Sequence, residues 1–229
     1  MARKFLTFSY DDGVRQDIKL TALFRKYGMK ATFNLNSGSF GYVGHINHFG
    51  FGVCFDKVRP DEVKDIYEGF EIASHGVDHR NFNELTDEAL DHEILDDVKT
   101  LESLSGKKII GAAYPCGCFA PETPDKLRER NIVFCRTVKD THHFSLPEDF
   151  NLWHPTCHDN DERVFELARQ FIDLKPETDS VFYIWGHAFE LDKNDKDRWA
   201  NMERLLELLA GRDDIEYVTN GDIYRAVNG

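Results

Sequence analysis

Phe5-Leu6-Thr7-Phe8-Ser9-Tyr10-Asp11-Asp12-Gly13 is the stretch whose reading decides the fold of this chain. Residues 5–8 read as a short buried strand, and two acids closed by a glycine lie a few residues beyond it. The period then changes. Leu20, Leu23, Phe24 and Tyr27 fall at i, i+3, i+4 and i+7, which predicts a helix over residues 17–27 that Gly28 stops. A strand, reactive side chains after its C-terminal end and then a helix form the unit of a parallel α/β sheet. Barrels of that class keep their chemistry at this end of the strands.

The unit recurs along the chain. Strands are predicted at residues 31–35, 71–74, 109–114, 132–138, 152–157, 181–185 and 216–219. Helices are predicted at 61–68, 87–104, from Thr123-Pro124 onward, at 161–172, at 195–209 and at the C-terminus. Residues 38–56 are rich in Gly and aromatics without a clear period and read as an inserted loop. Seven or eight alternations within 229 residues predict one domain over residues 1–229. Its architecture is expected to be an α/β barrel slightly smaller than the eightfold kind, with a doubly wound open sheet as the competitor. No G-x-G-x-x-G follows the first strand, which disfavours a dinucleotide-binding version.

Composition narrows the function. The 28 basic and 41 acidic residues give a net charge of −13, which disfavours phosphate backbones and anionic membranes, so neither a nucleic acid nor a membrane is expected as a partner. At 41% hydrophobic and 13% aromatic the chain should bury roughly three quarters of its unfolded surface. Cys54, Cys116, Cys118, Cys135 and Cys157 form no C-x-x-C pair and read as reduced thiols. Met1-Ala2-Arg3-Lys4 is followed by too short an apolar run for a signal peptide. No segment reaches the roughly 20 apolar residues of a membrane span. The expected location is cytoplasmic.

Asp11 and Asp12 follow the first strand, His75 and His79 the third, Tyr114-Pro115-Cys116-Gly117 the fourth, Arg136 the fifth and His187 the seventh. A barrel would gather all of these at one rim. Asp12, His75 and His79 make a two-imidazole, one-carboxylate set that leaves coordination positions open and suits a divalent metal. His75-Gly76-Val77-Asp78-His79 lacks the glutamate of zinc peptidases, so a base must come from elsewhere, and Asp11 is the nearest candidate. Histidines four apart are also common as plain surface pairs, and paired acids as turns or caps.

Thr7-Phe8-Ser9-Tyr10-Asp11-Asp12-Gly13 resembles the T-F-D-D-G signature of the NodB-type polysaccharide deacetylases, carbohydrate esterase family 4, with two extra residues before the acids. Ser74-His75-Gly76-Val77-Asp78-His79 resembles that family's H-[ST]-x-x-H motif, with Gly76 at the Ser/Thr position. Tyr114-Pro115-Cys116-Gly117 and Ile184-Trp185-Gly186-His187 resemble its third and fifth motifs, in family order. The resemblance implies a distorted (β/α)7 barrel and metal-dependent removal of an acetyl group from a sugar. It makes Asp11 the general base, Asp12, His75 and His79 the ligands of one divalent ion (zinc, with cobalt, nickel or iron as options), and His187 the general acid. The oxyanion would be held by the metal and by a backbone N–H near Cys116, with Tyr114 and Trp153 as further substrate contacts.

Two departures stand out. Ala113 and Cys116 occupy the third-motif positions of the family's Arg and Tyr, and Arg136 on the next strand is proposed to reach Asp11 instead. The fourth motif is represented only loosely by Asp149 and Trp153. His154, His158 and Glu190 are expected to be structural. Residues 192–197 carry calcium-like acids but fail the EF-hand template and read as a solvated turn. His45 and His48 lack a third partner. The loop aromatics Tyr42, Phe49, Phe51 and Phe55 either line a sugar cleft or cover the barrel. The leading expectation is a deacetylase of an N-acetylated sugar or oligosaccharide, with a carbohydrate or other small acylated molecule as its partner. Alternatives are a hydrolase of cyclic amides of the allantoin type and a catalytically weak glycan-binding barrel.

Overall fold

The structure is a computed structural model that describes residues 2–48, 50–193 and 197–229. Strand β1 (Lys4–Asp11) leads to α1 (Asp17–Tyr27), β2 (Ala31–Leu35), a hairpin of β3 (His45–His48) and β4 (Phe51–Cys54), the short α2 (Val63–Ile66) and β5 (Glu71–Ser74). Next come α3 (Asp87–Asp91) and α4 (Asp97–Ser105), joined through one π-helical turn, His92–Asp96. The chain finishes with β6 (Gly111–Ala113), α5 (Thr123–Glu129), β7 (Phe134–Arg136), β8 (Cys157–His158), α6 (Val164–Asp173), β9 (Ser180–Gly186), α7 (Arg198–Leu209), β10 (Glu216–Tyr217) and α8 (Asn220–Asn228).

Seven parallel strands lie in the order β7-β6-β5-β2-β1-β9-β8, and β10 pairs with β1 at Phe5 and Leu6. Residues 153–158 bring the two ends of this row together. Trp153 N–H donates to Cys135 O (3.0 Å) and Thr137 N–H to Trp153 O (3.0 Å), while Thr156 N–H donates to Tyr183 O (2.8 Å). The same segment therefore bonds β7 on one side and β9 on the other, and the sheet curls into the distorted (β/α)7 barrel expected from the alternation.

Alternation along β1 separates two cores. Leu6, Phe8 and Tyr10 face outward to α1 and its neighbours, with the Phe8 and Phe24 ring centroids 4.9 Å apart. Phe5, Thr7, Ser9 and Asp11 face inward. Phe5 lies with Phe134, Trp153, Tyr183 and Ile223 in an apolar layer. Above it Thr7 Oγ1 donates to Asn220 Oδ1 (2.9 Å), and Asn34 Nδ2 donates to Ser9 Oγ (2.8 Å). Asp11 caps the stack. The interior thus grades from apolar to charged toward the strand C-termini. Gly111 is required by the same packing, because a Cβ there would lie 1.9 Å from the Phe134 ring.

Several elements differ from the sequence expectation. Strand β1 continues unbroken through Ser9 and Tyr10, which pair in register with Thr32 and Phe33, so the two residues before the acids are regular strand. The loop at 38–56 contains the β3–β4 hairpin. The helix expected over 87–104 carries a π turn whose buried residues are Glu93 and Ile94. Of the helix expected over 195–209, residues 195 and 196 lie outside the described residues; α7 runs Arg198–Leu209, and Asp197 caps it by accepting from Ala200 N–H (3.3 Å).

Asp17 begins α1 fully buried, accepting a hydrogen bond from Tyr67 Oη (2.6 Å). Burial pushes its pKa up to about 8, with the charges of Asp12 and Asp11 adding to the effect against the Tyr67 bond and Lys57. Folding therefore favours the protonated acid. Its stability contribution is complete below the unfolded value of about 3.9 and is lost as pH rises through about 8. Thermal melts between pH 7 and 9 are expected to show Tm falling with pH, and Asp17→Asn is expected to flatten that slope. An unchanged slope would contradict the assignment.

Candidate active site

Asp11 sits at the centre of the barrel mouth, 2% exposed. Its Oδ1 accepts from Asn34 Nδ2 (2.8 Å), and its Oδ2 forms a short hydrogen-bonded ion pair with Arg136 Nη2. Arg136 is fully buried, donates Nη1 to Thr137 O (3.0 Å) and lies 4.6 Å from the Trp185 ring centroid. Trp185 is held in turn by Nε1 donating to Asp140 Oδ1 (2.8 Å). Burial alone would raise the Asp11 pKa, but Arg136, with His75 and His187, outweighs it and holds the carboxyl well below the usual range. The chain thus places an arginine on Asp11 from β7, where Ala113 leaves the third motif without one.

Asp12, His75 and His79 come together beside Asp11. One donor atom from each lies within 4.8 Å of the others, a set that could hold a metal ion. His75 is 1% exposed, and its Nδ1 lies 2.9 Å from Ala113 O, which orients Nε2 toward the mouth. Burial pushes its pKa down to about 4, so the ring is neutral near pH 7 and able to ligate. Asp12 has φ 80° and donates its N–H to Asn34 O (3.0 Å). Lys57 Nζ donates to Asp12 O (2.7 Å) and lies 3.5 Å from its Oδ1. Burial would raise the Asp12 pKa, but Lys57 and the nearby histidines hold it below the ordinary value.

Gly76 explains its own place in the second motif. Its φ is +79°, and a Cβ would lie 2.5 Å from Glu93 Oε2. Glu93 reaches there from the π turn and accepts from Asp78 N–H (3.1 Å). A carboxylate from α3–α4 thus fills the room a Ser or Thr side chain would need.

His187 closes the opposite side, with Nε2 3.8 Å from Asp11 Oδ2 and Nδ1 3.8 Å from Glu190 Oε1. Glu190 is 5% exposed, with His48 Nδ1 3.3 Å from its Oε1 and His158 Nε2 3.3 Å from its Oε2. His48, expected in a loop and without a third partner beside His45, therefore reaches the rim through the hairpin. Phe189 meets His48 and Phe55 edge-to-face, with ring centroids 5.3 and 5.1 Å apart.

Other expected site residues lie elsewhere. Tyr114 is fully buried, donates its N–H to Arg136 O (2.9 Å) and its hydroxyl to Asn151 O (2.7 Å), so neither polar end faces a substrate. Trp153 is 1% exposed within the interior apolar layer, because its backbone closes the barrel and turns its ring inward. Asp149 caps Asn151 N–H (2.9 Å) and pairs with Arg128 at the surface. His154 bonds Thr137 Oγ1 (2.6 Å). Cys116 does lie at the rim, exposed, with φ 54°, and Asp12's charge helps raise its thiol pKa after burial and Cys118. Tyr42 and Phe51 are exposed, Phe49 lies outside the described residues, and Phe55 lines the cavity beside Asp12. The acids at 192 and 197 are engaged as a side-chain acceptor and a helix cap, Asp192 taking bonds from Gln16 (2.7 Å) and Trp199 (2.8 Å); residues 194–196 lie outside the described residues.

Sequence reasoning missed Asn34, Asn36 and Lys57. The two asparagines flank Leu35 at the end of an otherwise buried strand, a signal that was available. Lys57 offers none, since a loop lysine ordinarily points to solvent.

The strand ends of this parallel barrel present a paired acid and an acid–imidazole cluster at one mouth. A family model described as polysaccharide deacetylase matches residues 1–134, more than half of the chain, and the protein belongs to that family. The Bacillus subtilis (strain 168) protein YxkH, named for the same family, is 26% identical over 124 residues, covering 53% of this chain; the chain spans 40% of that relative's length. A solved Mycobacterium smegmatis structure, also named for the family, superposes with a TM-score of 0.70 at 16% identity, covering 99% of this chain and 90% of that one. The PuuE allantoinase superposes at 0.68 with 15% identity, covering 98% and 90%. Likeness at these identities concerns the fold. Among the described residues no helix is long and apolar enough to cross a membrane.

Arg136→Met removes one partner of a buried pair and is expected to cost about 3–5 kcal/mol in urea unfolding. Adding Asp11→Asn leaves no unpaired charge and is expected to recover most of that loss. Equal losses in the single and double variants would rule out the pairing as the cause.

Proposed function

We propose that this barrel mouth is a metal-dependent hydrolase site, and that the protein, acting as one catalytic unit, removes an acetyl group from an N-acetylated sugar or oligosaccharide. The carrying observation is one arrangement. Asp12, His75 and His79 offer donors within 4.8 Å of one another, beside an Asp11 held ionised by Arg136 and facing His187 Nε2 at 3.8 Å. Two imidazoles and one carboxylate match the donor chemistry of zinc and of neighbouring divalent metals. A divalent ion on this set supplies Lewis-acid polarisation of the acyl carbonyl and makes water a nucleophile near neutral pH.

The protein's own groups divide the proton work. Asp11 Oδ2 accepts a proton from the attacking water, and Arg136 and Asn34 keep the carboxylate ionised and oriented for it. His187 Nε2 delivers a proton to the departing amine nitrogen, with Glu190 beyond its Nδ1. The backbone N–H of Cys116, turned by that residue's positive φ, is the candidate donor to the developing oxyanion. Arg136 acts through Asp11 and is a positioning residue.

Zinc-reconstituted protein is expected to release acetate from N-acetylglucosamine oligomers. Asp11→Asn should lower the rate by about 10²–10⁴-fold, the usual share of a general base, while the bound ion is retained. His75→Ala should lose the ion itself by elemental analysis. One bound ion without acetate release, but with ring-opening of a cyclic ureide, would move the substrate to non-sugar amides. No bound ion in the wild type would end the metal reading.

A further inference from the structure

The cavity beside Asp12 has a volume of about 310 Å³ and is lined by Asn36, Ser39, Phe55, Lys57 and His79 among others. That is near the lower end for ligand pockets, room for a single small unit. Lys57 is a buried charge of this cavity wall that the proposed reaction does not use. It is 5% exposed, wedged 4.2 Å from the Phe55 ring centroid. Its ammonium has three protons. One goes to Asp12 O at 2.7 Å and a second faces Asp12 Oδ1 at 3.5 Å, which leaves the third with no oxygen partner beyond the neighbouring Phe55 ring.

The site's charges balance before any ion or substrate arrives. Asp11 is matched by Arg136 and Asp12 by Lys57, and Glu190 has Lys193 Nζ at 3.7 Å. Asp78 also lines the cavity, but its side chain is exposed and lies 3.7 Å from His92 Nε2. In a chain of net charge −13 this pairing offsets the acids that stand at the proposed ion site. A divalent ion would then turn its full charge toward the substrate.

A second polar atom waits in the same wall. Asn36 is 2% exposed, and its Nδ2 donates to His75 O (2.6 Å) and Gly76 O (3.0 Å), which fixes the amide orientation. Its Oδ1 is buried without a hydrogen-bond partner. Such an atom costs free energy until a donor meets it.

We propose that this cavity selects an acylated substrate bearing a carboxylate, which pairs with Lys57 Nζ while a substrate N–H or O–H donates to Asn36 Oδ1. A single cation beside a buried, unpaired acceptor suits one negative charge, and the Asn36 oxygen and Asp12 would repel a phosphate dianion more strongly than a carboxylate. Lys57 is thus a specificity residue. The acyl chemistry rests on the deacetylase reading, but the charge preference does not.

Titration calorimetry on chelator-stripped protein, in which no turnover occurs, tests this directly. The probes are N-acetylmuramic acid, its neutral methyl ester and N-acetylglucosamine. The free acid is expected to bind about tenfold more tightly than the ester, as for a hydrogen bond to a charged group, with the gap shrinking as salt is added. Lys57→Met should bring acid and ester within about twofold, and Lys57→Arg should keep the gap. If Lys57→Met does not fold, Ser39→Glu, which adds a negative charge to the same wall without touching Asp12, should close it. No gap in the wild type, no binding of either probe, or a gap that survives the charge change would overturn the proposal. Absence of acetate release from the zinc-loaded protein with the gap intact would overturn only the deacetylase reading.

Discussion

The buried pair between Asp11 and Arg136 is the constraint around which the rest of the barrel is arranged. The two residues are 125 positions apart in sequence, on strands β1 and β7, and neither has appreciable solvent contact. A lone ion in that place would carry several kcal/mol of desolvation cost, so each requires the other and both require closure of the sheet. Closure passes through residues 153–158, and the Trp185 ring then covers the guanidinium. A barrel left open between β7 and β8 would admit water to the pair and free the Asp11 carboxylate to rotate. The polar upper layer and the apolar lower layer follow from the same need. Asn34 holds Asp11 from one side, while the aromatic layer below supplies the burial energy that a charged centre cannot.

The fold was legible where pattern and chemistry coincide. Alternation of strand and helix, with reactive residues at strand ends, was enough for a parallel barrel and for the positions of Asp11, Asp12, His75, His79 and His187. Arg136 was legible only through the family resemblance, because Ala113 stands where that family's third motif carries the arginine that pairs with the acid. What escaped has physical reasons. The β3–β4 hairpin pairs two four-residue strands, His45–His48 and Phe51–Cys54, whose inward face is the single pair Ile46 and Val53, too short to show as a period. The π turn contains no proline or glycine to announce it, and its consequence, Glu93 occupying the space over Gly76, is a tertiary contact. Tyr114 and Trp153 stand at strand ends, where an aromatic side chain serves the rim or the interior equally well. Only the direction of the backbone decides, and that direction is set by closure. Lys57 was invisible because burial of its ammonium depends on a carbonyl 45 residues away.

The backbone at the mouth shows how the strand ends were turned into a site. Asp12, His79 and Cys116 all have positive φ, at 80°, 57° and 54°, a region that costs a non-glycine residue about 1–3 kcal/mol. Asn131 and His142 share the conformation elsewhere in loops, so it is not confined to the mouth. At the mouth, however, it recurs on three separate strand ends, after β1, β5 and β6. In each case the left-handed residue is one whose side chain or amide enters the proposed chemistry. A strand left to run on would alternate its side chains in and out, and could not present two successive acids toward one centre. The left-handed turn at Asp12 breaks that alternation, so that Asp11 points into the barrel while Asp12 swings toward His75 and His79. The bond from Lys57 Nζ to the Asp12 carbonyl and the bond from Asp12 N–H to Asn34 O hold this turn in place. The local strain is therefore balanced by specific hydrogen bonds, which is why adjacent residues of one strand end can take two different parts in the same site.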